Sequence, residues 1–198
     1  MRTAKKLIGC FLVALVVLLL ASCRTGRPIK RLSSEGFMYA MIYDHDNSPV
    51  AGVAVHIDGK KIVDSDIQGR FILEKVTKKD EYRITLTKRG YEPLDEAFTY
   101  DPMQVLYFKM INSPQLIALA EAAMDGAEHA SAEGYLDRAL LIEPGRPDAL
   151  FLKSISCFLQ GRNDDAAAIL EGLIRSGSAD PSVSRLLEAI RRAQGPEG

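Results

Sequence analysis

Apolar and polar residues alternate with a period of two between Gly36 and Ile111, as expected for strands buried on one face. Turn residues such as Asp58-Gly59 interrupt this alternation about every eight to twelve positions. A series of short, half-buried strands is typical of two sheets packed face to face. The pattern predicts seven strands, at residues 37–44, 53–57, 61–63, 70–74, 82–88, 97–100 and 105–110.

The period changes from 2 to 3.6 at Ser113, and Pro114 stands where the first turn of a helix tolerates proline. Apolar stripes then predict two helix pairs and a final helix over residues 181–193. The fold class is therefore α+β and multidomain, with a seven-stranded β-sandwich followed by an antiparallel repeat domain of about five helices. The stripes are Leu116, Leu119, Ala120 and Ala123; Ala132, Leu136, Ala139 and Leu140; Phe151, Ile155 and Phe158; Ala166, Leu170 and Leu173; Val183, Leu186, Leu187 and Ile190.

The first helix pair resembles a tetratricopeptide repeat, with Ala132 and Ala139 at the small positions and Pro144 at the terminal proline. A second copy runs over about residues 147–177, and its register favours Phe158 over Cys157 as the core residue. The resemblance implies a partner-binding groove along the first helix of each pair. The alternative is that the same side chains simply pack within the protein. The candidate groove residues are Glu121, Met124, Asp125, Phe151, Ile155 and Leu159.

The strand region contains the runs Asp-x-x-Pro-x-Ala-Gly-Val-x-Val at 46–55, Ser-Asp-x-x-Gly-Arg-Phe at 65–71 and Tyr-x-Ile-Thr-Leu-x-x-x-Gly-Tyr at 82–91. With these motifs it resembles the carboxypeptidase regulatory-like domain. This resemblance implies a transthyretin-type β-sandwich without catalytic residues of its own. A related glycine-tyrosine signature occurs in PEGA-type modules, but the Pro-Val-Ala-Gly-Val run at 49–53 departs from their Pro-Glu-Gly-Ala. The matching positions are Pro49, Gly52, Val53, Val55, Asp66, Gly69, Phe71, Tyr82, Gly90 and Tyr91.

Leu20, Ala21, Ser22 and Cys23 resemble the lipobox of bacterial lipoprotein signal peptides. A basic start precedes an apolar run over residues 7–21, which falls short of the roughly 20 residues that span a bilayer. An ordinary secretory peptide or an uncleaved signal anchor is the alternative. The predicted divisions are a signal peptide at 1–22, a lipidated cysteine and basic tether at 23–35, the β-sandwich at 36–111, the helical domain at 112–195 and a tail at 196–198.

The lipoprotein resemblance implies a diacylglycerol thioether on Cys23 and a further acyl chain on its amine, which together anchor a protein durably. Arg24 after the cysteine, in place of Asp, argues by analogy against retention in the inner membrane. The expected location is thus the bacterial envelope, on the outer membrane and facing the periplasm. The basic residues at 24–31 either contact anionic head groups or form a solvated tether.

Charge and chemistry exclude several classes of function. The chain after residue 22 carries 22 basic and 26 acidic side chains, which argues against nucleic-acid binding. Three histidines, His45, His56 and His129, lie at no metal-ligand spacing, and no hydrolase or nucleotide-binding motif occurs. Asp44, Asp46 and Asn47 could ligate calcium but are more typical of a turn. We therefore expect no catalytic residues, no metal, and no cofactor apart from the covalent lipid.

The sequence predicts a non-enzymatic adaptor that binds an unidentified envelope protein through its helices and the membrane through its lipid. The rival hypothesis is a glycan- or wall-binding module whose helices brace the β-sandwich. Self-association is a third possibility. The aromatic candidates for glycan contact are Tyr82, Tyr91, Phe98, Tyr100 and Tyr107, and the chain contains no tryptophan.

Replacing Cys23 with alanine should abolish both processing at this position and retention in the membrane fraction, because no thiol would remain to carry the diacylglycerol. Fractionation of cells and mass measurement of the N-terminal peptide check both effects. Undiminished membrane retention of the variant would contradict the lipid anchor.

Overall fold

The computed structural model describes residues 36–76, 81–101, 103–177 and 180–195. The lipobox, Cys23, the tether and the tail at 196–198 lie outside these residues. The division of the chain into domains at 22, 35, 111 and 195 stays a prediction. Within the described residues, no helix is long and apolar enough to cross a membrane.

In the described residues seven strands form two sheets, one of three strands in the order β4-β1-β7 and one of four in the order β3-β2-β5-β6. All pairs are antiparallel except β1 and β7, which run parallel. The inner faces of both sheets contribute to a single hydrophobic core. The strands are β1 Gly36–Asp44, β2 Ala54–Ile57, β3 Lys60–Asp64, β4 Arg70–Val76, β5 Tyr82–Thr87, β6 Leu94–Phe98 and β7 Val105–Met110.

The period-two alternation placed six strands to within two residues and misplaced one. Strand β6 was predicted at 97–100, but it begins directly after Pro93 and pairs with β5 from Leu94 to Phe98. Its exposed Asp95 binds Arg83 of β5 at 2.7 Å. The strand was missed because three consecutive exposed residues, two of them acidic, conceal the alternation that marks a strand.

Within the part of the chain that the structure describes, five helices follow the last strand, and the first begins after only two residues. The first pair encloses a core that includes Leu116, Ala120, Leu136 and Ala139. The second pair and the last helix enclose another. The helices are α1 Ser113–Asp125, α2 His129–Ile142, α3 Pro147–Leu159, α4 Asn163–Arg175 and α5 Pro181–Gln194.

The predicted register of α3 is wrong by one residue. Cys157 is 1% exposed and belongs to the core of the second pair, whereas Phe158 is only partly buried and packs at its margin. Burial raises the pKa of the Cys157 thiol, so that it remains protonated and packs as a small apolar group. Ala166 of α4 belongs to the same core, so both helices contribute a small residue to it.

One glycine of the sandwich is fixed by both its backbone and its surroundings. Gly69 has a φ of +72°, and a Cβ there would lie 2.4 Å from the carbonyl oxygen of Ile42. Its carbonyl accepts from the Ile42 amide at 2.8 Å, which holds the turn before β4 against β1. A side chain at this position would break this contact.

Substitution of Gly69 with alanine should lower the free energy of unfolding by roughly 3 kcal/mol, from left-handed strain and the clash with Ile42 together. Gly52 is the matched control, since its φ is +65° but nothing lies within 4 Å of a Cβ there. The G52A variant should lose only about 1 kcal/mol in urea unfolding. Equal losses in the two variants would contradict the close approach.

Candidate functional site

The candidate surface on α1 lies beside its buried stripe. Leu116 and Ala120 are fully buried against α2, while Glu121 and Asp125 are exposed and Met124 is half-buried between them. Spacings of three and four residues bring these three side chains to one side of the helix. The α1 stripe thus places two exposed acidic side chains beside a partly buried methionine.

The candidate surface on α3 is apolar but only partly free. Leu159 is 56% exposed, and Ile155 is half-buried one turn earlier. Phe151 is also half-buried and packs against the core of the second helix pair. Phe151 therefore has a packing role, as the alternative to a groove anticipated, while Ile155 and Leu159 keep solvent-accessible surface.

Helices α1 and α3 contact each other across the repeat. Their stripes consequently belong to neighbouring helices, as the resemblance to a tetratricopeptide array implies. We call the six residues on these two stripes the first-helix surface. Whether this surface binds a partner stays a prediction.

Ion pairs join the second helix of the first repeat to the repeat that follows. Arg162, in the turn before α4, places its Nη2 atom 2.7 Å from both carboxylate oxygens of Glu133. One turn further along α2, Asp137 pairs with Lys153 of α3. Because Lys153 lies within α3 and Arg162 follows its end, the two pairs connect α2 to α3 at two points.

The first helix is tied to the sandwich by a capping box. The Asn112 side chain accepts from the Gln115 amide at 2.9 Å, and the Gln115 side-chain oxygen accepts from the Asn112 amide at 3.2 Å. The amide nitrogen of the same Gln115 side chain donates to Asp46 at 2.7 Å. Gln115 therefore both caps α1 and connects it to the loop after β1.

A bidentate ion pair makes a second connection. Arg138 of α2 donates from Nε and Nη2 to the two oxygens of Glu92, at 3.0 and 2.6 Å. The hydrogen bonds from Arg138 lower the pKa of the Glu92 carboxyl, and those to Glu92 raise the pKa of the guanidinium. The pair is partly exposed, so solvent weakens it.

Sequence reasoning did not identify these connecting residues. Glu92 and Arg138 are 46 positions apart, and Asp46 and Gln115 are 69 apart, so no local pattern links them. Asp44, considered beside Asp46 for calcium, accepts instead from the amides of Asp46 and Ser48, as a turn residue does. Among the described residues, no group of three or more metal-ligating side chains forms a site.

Most of the predicted glycan-contacting aromatics are packed. Phe98 is buried and Tyr82 stacks on it with ring centroids 5.3 Å apart. Tyr91 lies beneath the Lys88 ammonium, and Tyr100 packs against the core. Of the five candidates only Tyr107 is largely exposed.

Residues 116–190 match the family model of the tetratricopeptide repeat. Such repeats are interaction modules that bind partners rather than catalyse reactions. The match begins within α1 and ends within α5, and it covers most of both helix pairs. None of the curated protein sequences compared with the chain matches it.

Several solved structures resemble part of the chain at low similarity. The Bacillus anthracis TIE protein is 17% identical with a TM-score of 0.34, over 40% of this chain and 17% of its own. A streptococcal ancillary pilin is 20% identical with a TM-score of 0.32, over 40% and 30%. BcpA, the major pilin subunit of Bacillus cereus, is 17% identical with a TM-score of 0.31, over 39% and 28%. The chain thus spans less than a third of each, and no argument rests on these likenesses.

The Glu92–Arg138 pair should stabilise the fold above the ordinary carboxyl pKa of 4.5. Because folding lowers this pKa, the contribution is fully present at neutral pH and disappears as the pH falls through the folded value. A double-mutant cycle with E92Q and R138Q should give a coupling of about 0.5 kcal/mol at pH 7 in urea unfolding.

The E92Q variant serves as the control for the pH effect. Its stability should fall less steeply than that of the unaltered chain below pH 4.5. A coupling of zero together with identical pH profiles would contradict a stabilising pair.

Proposed function

We propose that this chain is a membrane-anchored bacterial envelope lipoprotein that acts as a non-enzymatic adaptor. In this proposal Cys23 carries the lipid, the β-sandwich stands near the membrane and carries the helices, and the first-helix surface binds another envelope protein. The observation that carries the proposal is the tetratricopeptide match over residues 116–190, combined with the partly exposed first-helix surface on α1 and α3.

The character of the first-helix surface suggests the kind of partner. Glu121 and Asp125 supply negative charge beside Met124, and Ile155 and Leu159 supply apolar contact on the next helix. An extended or helical segment with basic and apolar side chains fits this combination. Methionine suits such a role, since its unbranched side chain adapts to different partners.

Anchoring compensates for the small size of the repeat array. Two repeats offer a short groove, so the intrinsic affinity for a partner is modest. Confinement to one membrane raises the effective concentration of a partner on the same surface and favours binding without any further contact. The outer membrane, with the protein facing the periplasm, is the location that we propose from residues 20–24.

The β-sandwich has a supporting role in this proposal. Its transthyretin-type identity is inferred from the sequence resemblance over about residues 36–110. The alternative function, glycan binding by the sandwich, relied on five aromatic residues, and four of these are engaged in packing or stacking. The adaptor proposal is therefore the better supported of the two.

Site-specific photocrosslinking in cells tests the adaptor proposal. A benzophenone amino acid replaces Met124 or Leu159 on the first-helix surface, and Leu141 serves as the control. Leu141 is 81% exposed but lies on α2, the second helix of its pair. We expect one discrete adduct, the same at Met124 and Leu159 and absent at Leu141.

Absence of any adduct at the two surface positions, or an equal adduct at Leu141, would contradict the proposal. An adduct of twice the chain mass would identify a second copy as the partner. Cleavage of the adduct and mass spectrometry of its peptides would then name the bound segment.

A further inference from the structure

The outer face of the three-stranded sheet is unusually apolar. Of the eleven large hydrophobic side chains that are exposed in the described residues, five lie on this face, and Tyr107 is the most exposed at 66%. Their neighbours along each strand point into the core, as the alternation of burial shows. We call these five the apolar sheet face: Phe37, Tyr39, Ile72, Val105 and Tyr107.

The strand register makes this face continuous. Tyr39 at the centre pairs with Ile72 of β4 on one side and with Val105 of β7 on the other. Met41, two residues further along β1 on the same face, pairs with Tyr107 of β7. Adjacent strands lie about 4.8 Å apart, so side chains paired in this way contact one another. A contiguous patch of this kind marks an interaction surface.

One end of the apolar sheet face lies at the start of β1, which is also the first described residue of the chain. Gly36 is the first residue of β1, and Phe37 and Tyr39 lie within the next three positions. Since β7 runs parallel to β1, Val105 and the 90% exposed Met103 before it lie toward the same end. Residues 24–35 connect this end to Cys23, and twelve residues reach at most about 40 Å.

Basic side chains slightly outnumber acidic ones at the margin of this face. Arg70 of β4 stands opposite Met41 and is ion-paired with Asp66 at 3.0 Å. Lys109 of β7 stands opposite Tyr43. Lys75 lies at the irregularity near the start of β1, next to the one acidic residue of β4, Glu74. The tether adds four more basic residues between Arg24 and Arg31. This charge complements an anionic lipid surface.

We propose that the apolar sheet face docks onto the interfacial region of an anionic bilayer. Tyrosine and phenylalanine would lie at the level of the head groups, with Ile72 and Val105 against the acyl boundary and the basic residues on lipid phosphates. The proposal rests on the membrane attachment in the proposed function. It adds that the sandwich lies on the membrane by this face.

The side chains between the rings distinguish this surface from a glycan site. Ile72, Val105 and Met41 surround Tyr39 and offer no hydrogen bond to a sugar hydroxyl. An acyl chain needs none. Aliphatic and aromatic side chains with a basic margin are the composition of interfacial membrane contacts.

Tryptophan fluorescence tests the docking, since the chain has no tryptophan of its own. The Y107W variant places one indole on the apolar sheet face, and the I62W variant places one on β3 of the other sheet, where Ile62 is 46% exposed. Each full chain is purified and reconstituted into vesicles of brominated phosphatidylcholine with about 30% phosphatidylglycerol.

We expect brominated lipid to quench Y107W emission by roughly twofold or more and to leave I62W nearly unchanged. Adding Phe37→Ser to Y107W should reduce this quenching, and circular dichroism checks that the fold is retained. The quenching should also weaken at about 0.5 M salt, because the screening length falls.

Absence of Y107W quenching, equal quenching of Y107W and I62W, or failure of the chain to associate with vesicles would overturn the docking. A dimer in sedimentation, with blue-shifted Y107W emission in lipid-free buffer, would overturn it in favour of a second copy on the face. The mass of the N-terminal peptide reports the lipid on Cys23 separately. An acylated chain without Y107W quenching would therefore defeat the docking and leave the anchor intact.

Discussion

The connection between the last strand and the first helix determines how the two halves of this chain work together. Only Ile111 and Asn112 separate β7 from α1, and Asn112 already caps the helix. The bond from Gln115 to Asp46 then fixes the helix start against the loop after β1. A neutral hydrogen bond contributes about 1 kcal/mol, and one to a carboxylate somewhat more. These hydrogen bonds therefore restrain the start of α1 more than the two-residue linker would by itself.

The rest of the helical array is arranged by contacts that start from this connection. Arg138 binds α2 to Glu92 on the sandwich, and the other side of α2 carries Glu133 and Asp137, which pair with the second repeat. Helix α2 thus contacts both the sandwich and the second repeat. Helices α1 and α3, the first helices of the two pairs, present side chains to solvent. In the proposed function, the sandwich carries this surface at a set orientation, and the apolar sheet face would set the orientation to the membrane.

Much of the architecture follows from periodicity, while the connecting contacts do not. Alternation located β1, β4 and β7 because each buries one face, and helical stripes located the buried Leu136 and Leu170. The predicted register favoured Phe158 over Cys157 and was wrong, since adjacent apolar residues fit either register of the helix. Phe37 and Tyr39 were not singled out, because in a strand with apolar residues on both faces the pattern does not show which face is exposed.

The sandwich and the helical repeats form one compact unit, so we expect them to move as one body. Residual dipolar couplings of backbone amides measure this directly in the full chain. A single alignment tensor should fit the amides of residues 36–76, 81–101 and 105–110 together with those of 113–177. If the strands and helices required tensors of clearly different orientation or magnitude, the connection would be a hinge, and this account would be contradicted.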